Sequence, residues 1–436
     1  MEEVTAIANL APATDLVGGG IIVHEKASEG EAGVRLAELP PLSLYVHIPW
    51  CLKKCPYCDF NSHEKRGDLP EDEYVDALTA DLEASLANVW GRRLHTVFIG
   101  GGTPSLFSPR AIDRLLTAIR TRLPVDPEAE ITMEANPGTF EAERFRGFRA
   151  AGVNRLSIGV QSFDDAMLAA LGRVHGADEA RRAIAAALGL FDTVNVDLMY
   201  ALPHQTIDAA LADVSEAIAH GVPHISAYHL TLEPDTHFHR FPPPLPTDDA
   251  AADMQEGIES LLSGAGYGHY ETSAFARPGH RARHNLNYWT FGDYLGIGAG
   301  AHGKISFRDR IVREVRERKP QSYLRSAAAG DAIQETRDVA EAELPFEFML
   351  NALRLTEGFP VALFAQRTGM PLAAVEPQLR AAEAAGLLER DHARIRPSAK
   401  GQRFLNDLLE GFLAPAAARP AARVINIASP GTSRPS

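Results

Sequence analysis

Cysteine is scarce in this 436-residue chain: Cys51, Cys55 and Cys58 are the only three, and they fall within eight consecutive positions. No site of four thiolates can be assembled from such a set. No run approaches the roughly 18 apolar residues of a membrane span, and the opening MEEVTAIANLAPATDL lacks the basic-then-apolar order of a secretory leader. The expected location is therefore the cytoplasm, where thiols stay reduced. A net charge of −14 opposes a phosphate backbone and argues against nucleic acid as a partner. The stretch Gly100-Gly101-Gly102-Thr103-Pro104 lacks the Lys-Ser/Thr of a phosphate-binding loop. What remains is an ordinary globular composition, 45% hydrophobic with both charge signs, in a chain long enough for two domains plus tails.

The cysteines sit in YVHIPWCLKKCPYCDFNSH, spaced C-x3-C-x2-C directly after a β-like run, Leu44–Ile48. Iron–sulfur clusters are usually held by four thiolates, so three on a cubane leave one iron open to a small molecule. A zinc site closed by His47 or His63 is the competing reading, and three unrelated buried thiols is another. Lys53 and Lys54, between the first two cysteines, are expected to lower thiolate pKa values.

Residues 1–41, with Gly18-Gly19-Gly20 and little periodicity, read as a loose extension, and the Ala/Pro/Ser-rich 414–436 as a disordered tail. Between them, short apolar runs alternate with helix-period stretches. Strands are expected at Leu44–Ile48, Thr96–Ile99, Ile131–Glu134, Arg155–Val160, Thr193–Asp197 and Ile225–Leu230. Helices are expected at Glu71–Leu86 and Pro109–Leu123, and near 140–150, 177–190 and 208–220. Six βα units imply an α/β fold, an open six-unit (β/α) partial TIM barrel whose strand ends converge on one mouth. The proline-rich TLEPDTHFHRFPPPLPTDD after Thr231 is expected to end the strands, with a helix at Asp248–Ser263 beyond it. Helical patterns at Phe346–Leu355, Val361–Thr368, Leu372–Ala385 and Gln402–Leu413, plus a hairpin in LLERDHARIRPSAKG, suggest a smaller, mainly helical, winged-helix-like domain at 344–413. The candidate second helix of such a module, LAAVEPQLRAAEAA, is not basic, which favours a docking or covering role over DNA binding.

The cysteine motif resembles the signature of radical SAM enzymes, and HIPWCLKKCPYCDFNSH resembles the branch of oxygen-independent coproporphyrinogen III oxidase. Its closest likeness is to the heme-chaperone members of that branch. Oxidases of the branch carry a further cysteine two positions after the third, where this chain has Phe60. The resemblance implies a radical SAM core at 42–290, a connecting segment at 291–343, and a [4Fe–4S] cluster on Cys51, Cys55 and Cys58 with S-adenosylmethionine on its open iron. By residue-for-residue match it also implies cofactor contacts at Tyr45, Gly101, Gly102, Thr103, Glu134, Gln161, Arg173 and Asp197.

Read from the residues alone, several of these have plainer explanations. The glycines suit a tight turn, and Arg173 suits a surface ion pair. Glu134 and Asp197, at the ends of apolar runs, demand a partner for buried charge. In YETSAFARPGHRARHNLNYW, histidine beside aromatics fits a heme site, and the resemblance of HNLNYW to a motif of the family makes His284 the candidate heme contact. A lone histidine is more often a satisfied core or surface residue. The resemblance ranks a heme chaperone first, one that hands heme to acceptor proteins such as respiratory hemoproteins. An enzyme of porphyrin biosynthesis, a radical SAM coproporphyrinogen III dehydrogenase acting by oxidative decarboxylation, is the alternative, and a winged-helix binding protein with a structural metal is a third class. Peripheral membrane association and a homodimer stay open at this point.

Overall fold

In the parallel strands the apolar runs are nearly continuous because both faces are covered. LSLYVHI at β1 (Leu42–Ile48) has only Tyr45 short of full burial. The computed structural model describes residues 34–138 and 141–413. β1 is followed by β2 (Leu94–Gly101), β3 (Val125–Ala135), β4 (Arg155–Gln161), β5 (Thr193–Tyr200) and β6 (His224–His229), all paired in parallel in that order. Helices return the chain between them. Pro109–Arg122 shows how the sequence sets one: Ser108 caps it, its hydroxyl accepting from the Ala111 N–H at 3.2 Å. Pro109 opens the first turn, and Ile112, Leu115, Leu116 and Ile119 form the buried stripe.

The strands do not stop at Thr231. β7 (Gly268–Glu271) and β8 (Ala274–Ala276) form an antiparallel pair that joins β6, and β9 (Asp293–Ile297) adds a seventh parallel strand outside β1. β10 (His302–Ser306), β11 (Ile311–Arg316) and β12 (Ile333–Asp338) then continue antiparallel. The result is one twelve-stranded sheet, β12-β11-β10-β9-β1-β2-β3-β4-β5-β6-β8-β7. Much of the segment expected to connect domains is thus sheet. It is anchored by buried ion networks: Arg316 meets Asp81 at 2.9 Å and Glu314 at 2.8 Å, and Asp293 meets Lys304 and Arg92 at 2.8 Å each.

The C-terminal unit has helices Leu344–Ala352, Val361–Thr368 and Glu376–Ala384 and a hairpin, Leu388–Arg390 with Arg394–Pro397, as expected of a winged helix. The last expected helix is two, Ala399–Arg403 and Leu405–Glu410, broken at Phe404. Phe348 centres this core, with Phe291, Phe359 and Phe364 at 5.8, 5.0 and 5.3 Å between ring centroids. Val34 and Leu36 are buried in the same cluster, so the expected N-terminal extension is tied down from residue 34 onward. The rest of that extension and the expected tail lie outside the described residues.

Candidate functional site

β1 runs directly into the cysteine loop, which is held from three sides. Trp50 is buried with its ring centroid 4.7 Å from Tyr74 and 6.0 Å from Phe107. Backbone bonds from His63 to Pro49 (2.7 Å) and Lys65 to Cys51 (2.8 Å) close the loop on itself. Asn61 straps its far end, donating through Nδ2 to the carbonyls of Ala299 and Arg318 at 2.9 Å each. The loop's upper wall is the end of β2. There Gly101 adopts φ +115°, and a Cβ on Gly102 would stand 2.6 Å from the Trp50 carbonyl oxygen. Two of the three glycines are therefore needed for strand and loop to touch, the close backbone approach that the sequence suggested.

The parallel strand ends surround a cavity of about 340 Å³. Cys51, Cys55, Cys58, Gly101, Gly102, Thr103, Glu134, Arg173 and Asp197 line it. Three other expected residues do not. Tyr45 lies below, its hydroxyl 3.0 Å from His47 Nδ1 and its ring on Phe98. Gln161 follows a bulge in β4 and holds φ +70°, a left-handed conformation rare outside glycine. His284 lies apart from the cavity. Its ring is buried, with Nδ1 2.7 Å from the Thr96 hydroxyl and Nε2 2.9 Å from that of Tyr288. Burial lowers its pKa to about 3.

Within the cavity wall a chain of hydrogen bonds leads from the ends of β2 and β3 to one thiol. The Thr103 hydroxyl accepts from Asn136 Nδ2 at 2.9 Å; Asn136 Oδ1 accepts from Arg173 Nη2 at 2.8 Å; Arg173 Nη1 reaches the Cys55 sulfur at 3.6 Å. Tyr57 lines the same cavity, its ring centroid 6.4 Å from that of Phe238. Sequence reasoning passed over Asn136, Tyr57 and Arg144, although EANPGT and CPYC contain the first two. Burial pushes the Cys51 and Cys58 thiols up, so the expected depression by Lys53 and Lys54 is outweighed; both lysines are exposed.

Glu134 and Asp197 set the electrostatics. Both keep some surface toward the cavity and are otherwise enclosed by protein. Glu134 has one bond in the structure, from the Gly101 N–H at 3.0 Å; Asp197 accepts from Asn195 Nδ2 (2.8 Å) and Ser157 Oγ (3.0 Å). Among the described residues neither forms a salt bridge, although the charge of Arg155 acts on Asp197. Burial and then the charge of Asp197 raise Glu134 to about 8, and burial raises Asp197. Arg144 and Arg173, on the same wall, each have a buried Nε without a partner.

This donor set fits a cluster with an amino-acid-bearing ligand. Three thiols share the cavity, two carboxylates want a cation, and two guanidiniums have capacity for a carboxylate. A single-ion zinc site fits less well. Both nitrogens of His47 are engaged, by Tyr45 and by the Asn61 carbonyl at 3.0 Å. Among the described residues no three His, Cys, Asp or Glu side chains form a set that could hold one metal ion. No helix among them is long and apolar enough to cross a membrane.

Comparison with known proteins agrees with this geometry. The Radical SAM superfamily profile matches residues 45–216, and that of the HemN C-terminal domain matches 339–404. The chain is 51% identical to the heme chaperone HemW of Escherichia coli (strain K12) over 381 residues, 87% of this chain and 100% of that one. It is 36% identical to the heme chaperone HemW of Mycobacterium tuberculosis (strain H37Rv), over 87% of this chain and 97% of that one. It is also 36% identical to mouse radical S-adenosyl methionine domain-containing protein 1, mitochondrial, over 84% and 86%. Among solved structures, coproporphyrinogen III oxidase (HemN) from Escherichia coli superposes with a TM-score of 0.73 at 23% identity, covering 86% of this chain and 90% of that one, which establishes a shared fold. With three thiols on one cavity wall and a relative matched along its whole length, the chain belongs to the HemW family of the radical SAM superfamily.

Proposed function

We propose that this protein is a cytoplasmic heme chaperone: it carries a [4Fe–4S] cluster on Cys51, Cys55 and Cys58, binds S-adenosylmethionine beside it, and takes up heme as cargo for delivery to heme-accepting proteins. The observation that carries the cofactor half is the pair of enclosed carboxylates, Glu134 and Asp197, facing three thiols and forming no salt bridge among the described residues. The cargo half rests on membership of the HemW family.

In this reading Glu134 receives the ammonium of S-adenosylmethionine and Arg173 its carboxylate, while Asp197 accepts from a ribose hydroxyl. Gly101, Gly102 and Thr103 flank the methionine portion with backbone groups. Tyr45 and Gln161, just outside the cavity wall, support these contacts from below and beside. When bound, the cluster supplies an electron at low potential. Phe60, where oxidases of the branch have cysteine, weighs against coproporphyrinogen oxidation.

Anaerobic reconstitution followed by two assays on one sample tests this. Stoichiometric heme uptake without decarboxylation is expected. Steady turnover of coproporphyrinogen with S-adenosylmethionine and reductant would replace the chaperone by the dehydrogenase. Zinc in place of iron and sulfide, or metal retained in Cys55→Ser, would end both.

A further inference from the structure

Exposed apolar side chains are ordinary when scattered singly, but three stand together on the edge of this cavity. Leu52 and Phe60 are each 51% exposed and Val174 is 57% exposed, and all three line the cluster cavity. They come from different places. Leu52 lies between the first two cysteines, Phe60 lies two residues past the third, and Val174 follows Arg173 on the segment after β4. Together they form a partial collar around the opening. Neither an iron–sulfur cluster nor a sulfonium nucleotide calls for such a collar, because both are polar and belong in the cavity below. A collar of this kind marks a ligand or partner with an apolar surface.

We propose, building on the chaperone reading, that the heme macrocycle lies across this rim, packed on Leu52, Phe60 and Val174, with Lys53 meeting a propionate. Lys53 is exposed, and its Nζ lies 4.0 Å from the position a Cβ on Gly172 would take, which sets the ammonium beside the Gly172-Arg173-Val174 segment. A flat hydrophobic ring with anionic edges is complementary to an apolar collar bordered by a cation. The cavity, about 340 Å³, is at the small end for ligand sites and in this reading is given to cluster and nucleotide, which puts the macrocycle at its opening. Among the described residues that line the cavity none is a histidine, and His284 is committed to Thr96 and Tyr288. At the proposed site the described cavity lining thus offers the heme iron no imidazole. Such a cargo is easily surrendered to an acceptor that supplies imidazole.

The test uses the full-length, cluster-loaded protein with S-adenosylmethionine. Hemin is titrated into wild type, the double variant Phe60→Asp/Val174→Asp, and Lys53→Glu, after iron, sulfide and nucleotide binding are shown to match wild type. Heme affinity is expected to fall roughly ten-fold or more in the double variant, and less in Lys53→Glu. Bound ferric heme is expected to take up added imidazole with a change in its Soret band. As a second measurement, the emission lifetime of zinc protoporphyrin bound to the protein is expected to shorten when the adjacent cluster is present. Undiminished heme affinity in the double variant, or a lifetime indifferent to the cluster, overturns the rim site while leaving the chaperone reading intact. Wild type that takes up no heme overturns that reading itself. If the double variant keeps heme but fails to pass it on, the collar is a protein-docking face and the proposal is wrong.

Discussion

Asp293 and Glu134 are both enclosed carboxylates on the same sheet, and they sit in opposite electrostatic worlds. Asp293 is fully buried and saturated: Lys304 and Arg92 at 2.8 Å, the Ser306 N–H at 2.9 Å and its hydroxyl at 2.7 Å. Burial alone would push its pKa up, but the two cations outweigh burial and hold it below the ordinary carboxylate value. Glu134 has a single backbone N–H and a second carboxylate nearby, and is raised to about 8. The first is finished by the protein; the second is left for something cationic from outside. Unmatched buried charge is the more useful guide to function, because a stable fold has no reason to keep it.

Breaking the finished site should have the largest effect. Lys304→Met strands Asp293 with Arg92 alone and is expected to lower unfolding free energy by about 3 kcal/mol, read by urea denaturation. A depressed carboxyl stabilises the fold above its unfolded value near 4, so this loss should be full at pH 7 and shrink in acid. Glu134→Gln should do the reverse. Apo stability should hold or rise, while S-adenosylmethionine affinity drops roughly ten-fold or more by calorimetry, about 1.4 kcal/mol. Linkage gives a third contrast. A carboxyl raised to about 8 favours folding while protonated, so wild-type apo stability should fall as pH climbs from near 4 to about 8. Glu134→Gln should flatten that slope, and a slope unchanged by the substitution would contradict the raised pKa. The smallest effect belongs to the surface. Asp72 with Arg110 is an exposed pair, and Arg110→Ala should leave the urea midpoint of unfolding essentially unchanged.

The six central strands were legible because each is an apolar run closed on both faces; Arg155–Gln161 is buried in all but its last residue. The outer strands were not. Ile333–Asp338 reads IQETRD, with no residue fully buried, so it offers no hydrophobic signal and is defined only by its antiparallel pairing with β11. At the site, cysteines, glycines and Glu134 were readable since their chemistry is local to a motif. Asn136 matters through bonds to Thr103 and Arg173, distant in sequence, and nothing in its neighbours announces that. The surroundings of His284 were hidden for a related reason. HNLNYW does gather histidine and aromatics, but the helix Arg283–Trp289 tucks them into the barrel, where Thr96 and Tyr288 use both ring nitrogens.

The Asn61 strap has a temporal consequence. Its two carbonyl acceptors, Ala299 and Arg318, lie about 240 and 260 positions downstream, on either side of β10 and β11. A ribosome that has released the three cysteines has yet to make the ledge on which their loop rests, because domains emerge from the N-terminus first. The cysteine loop therefore gains this support late, once the sheet is complete at that edge.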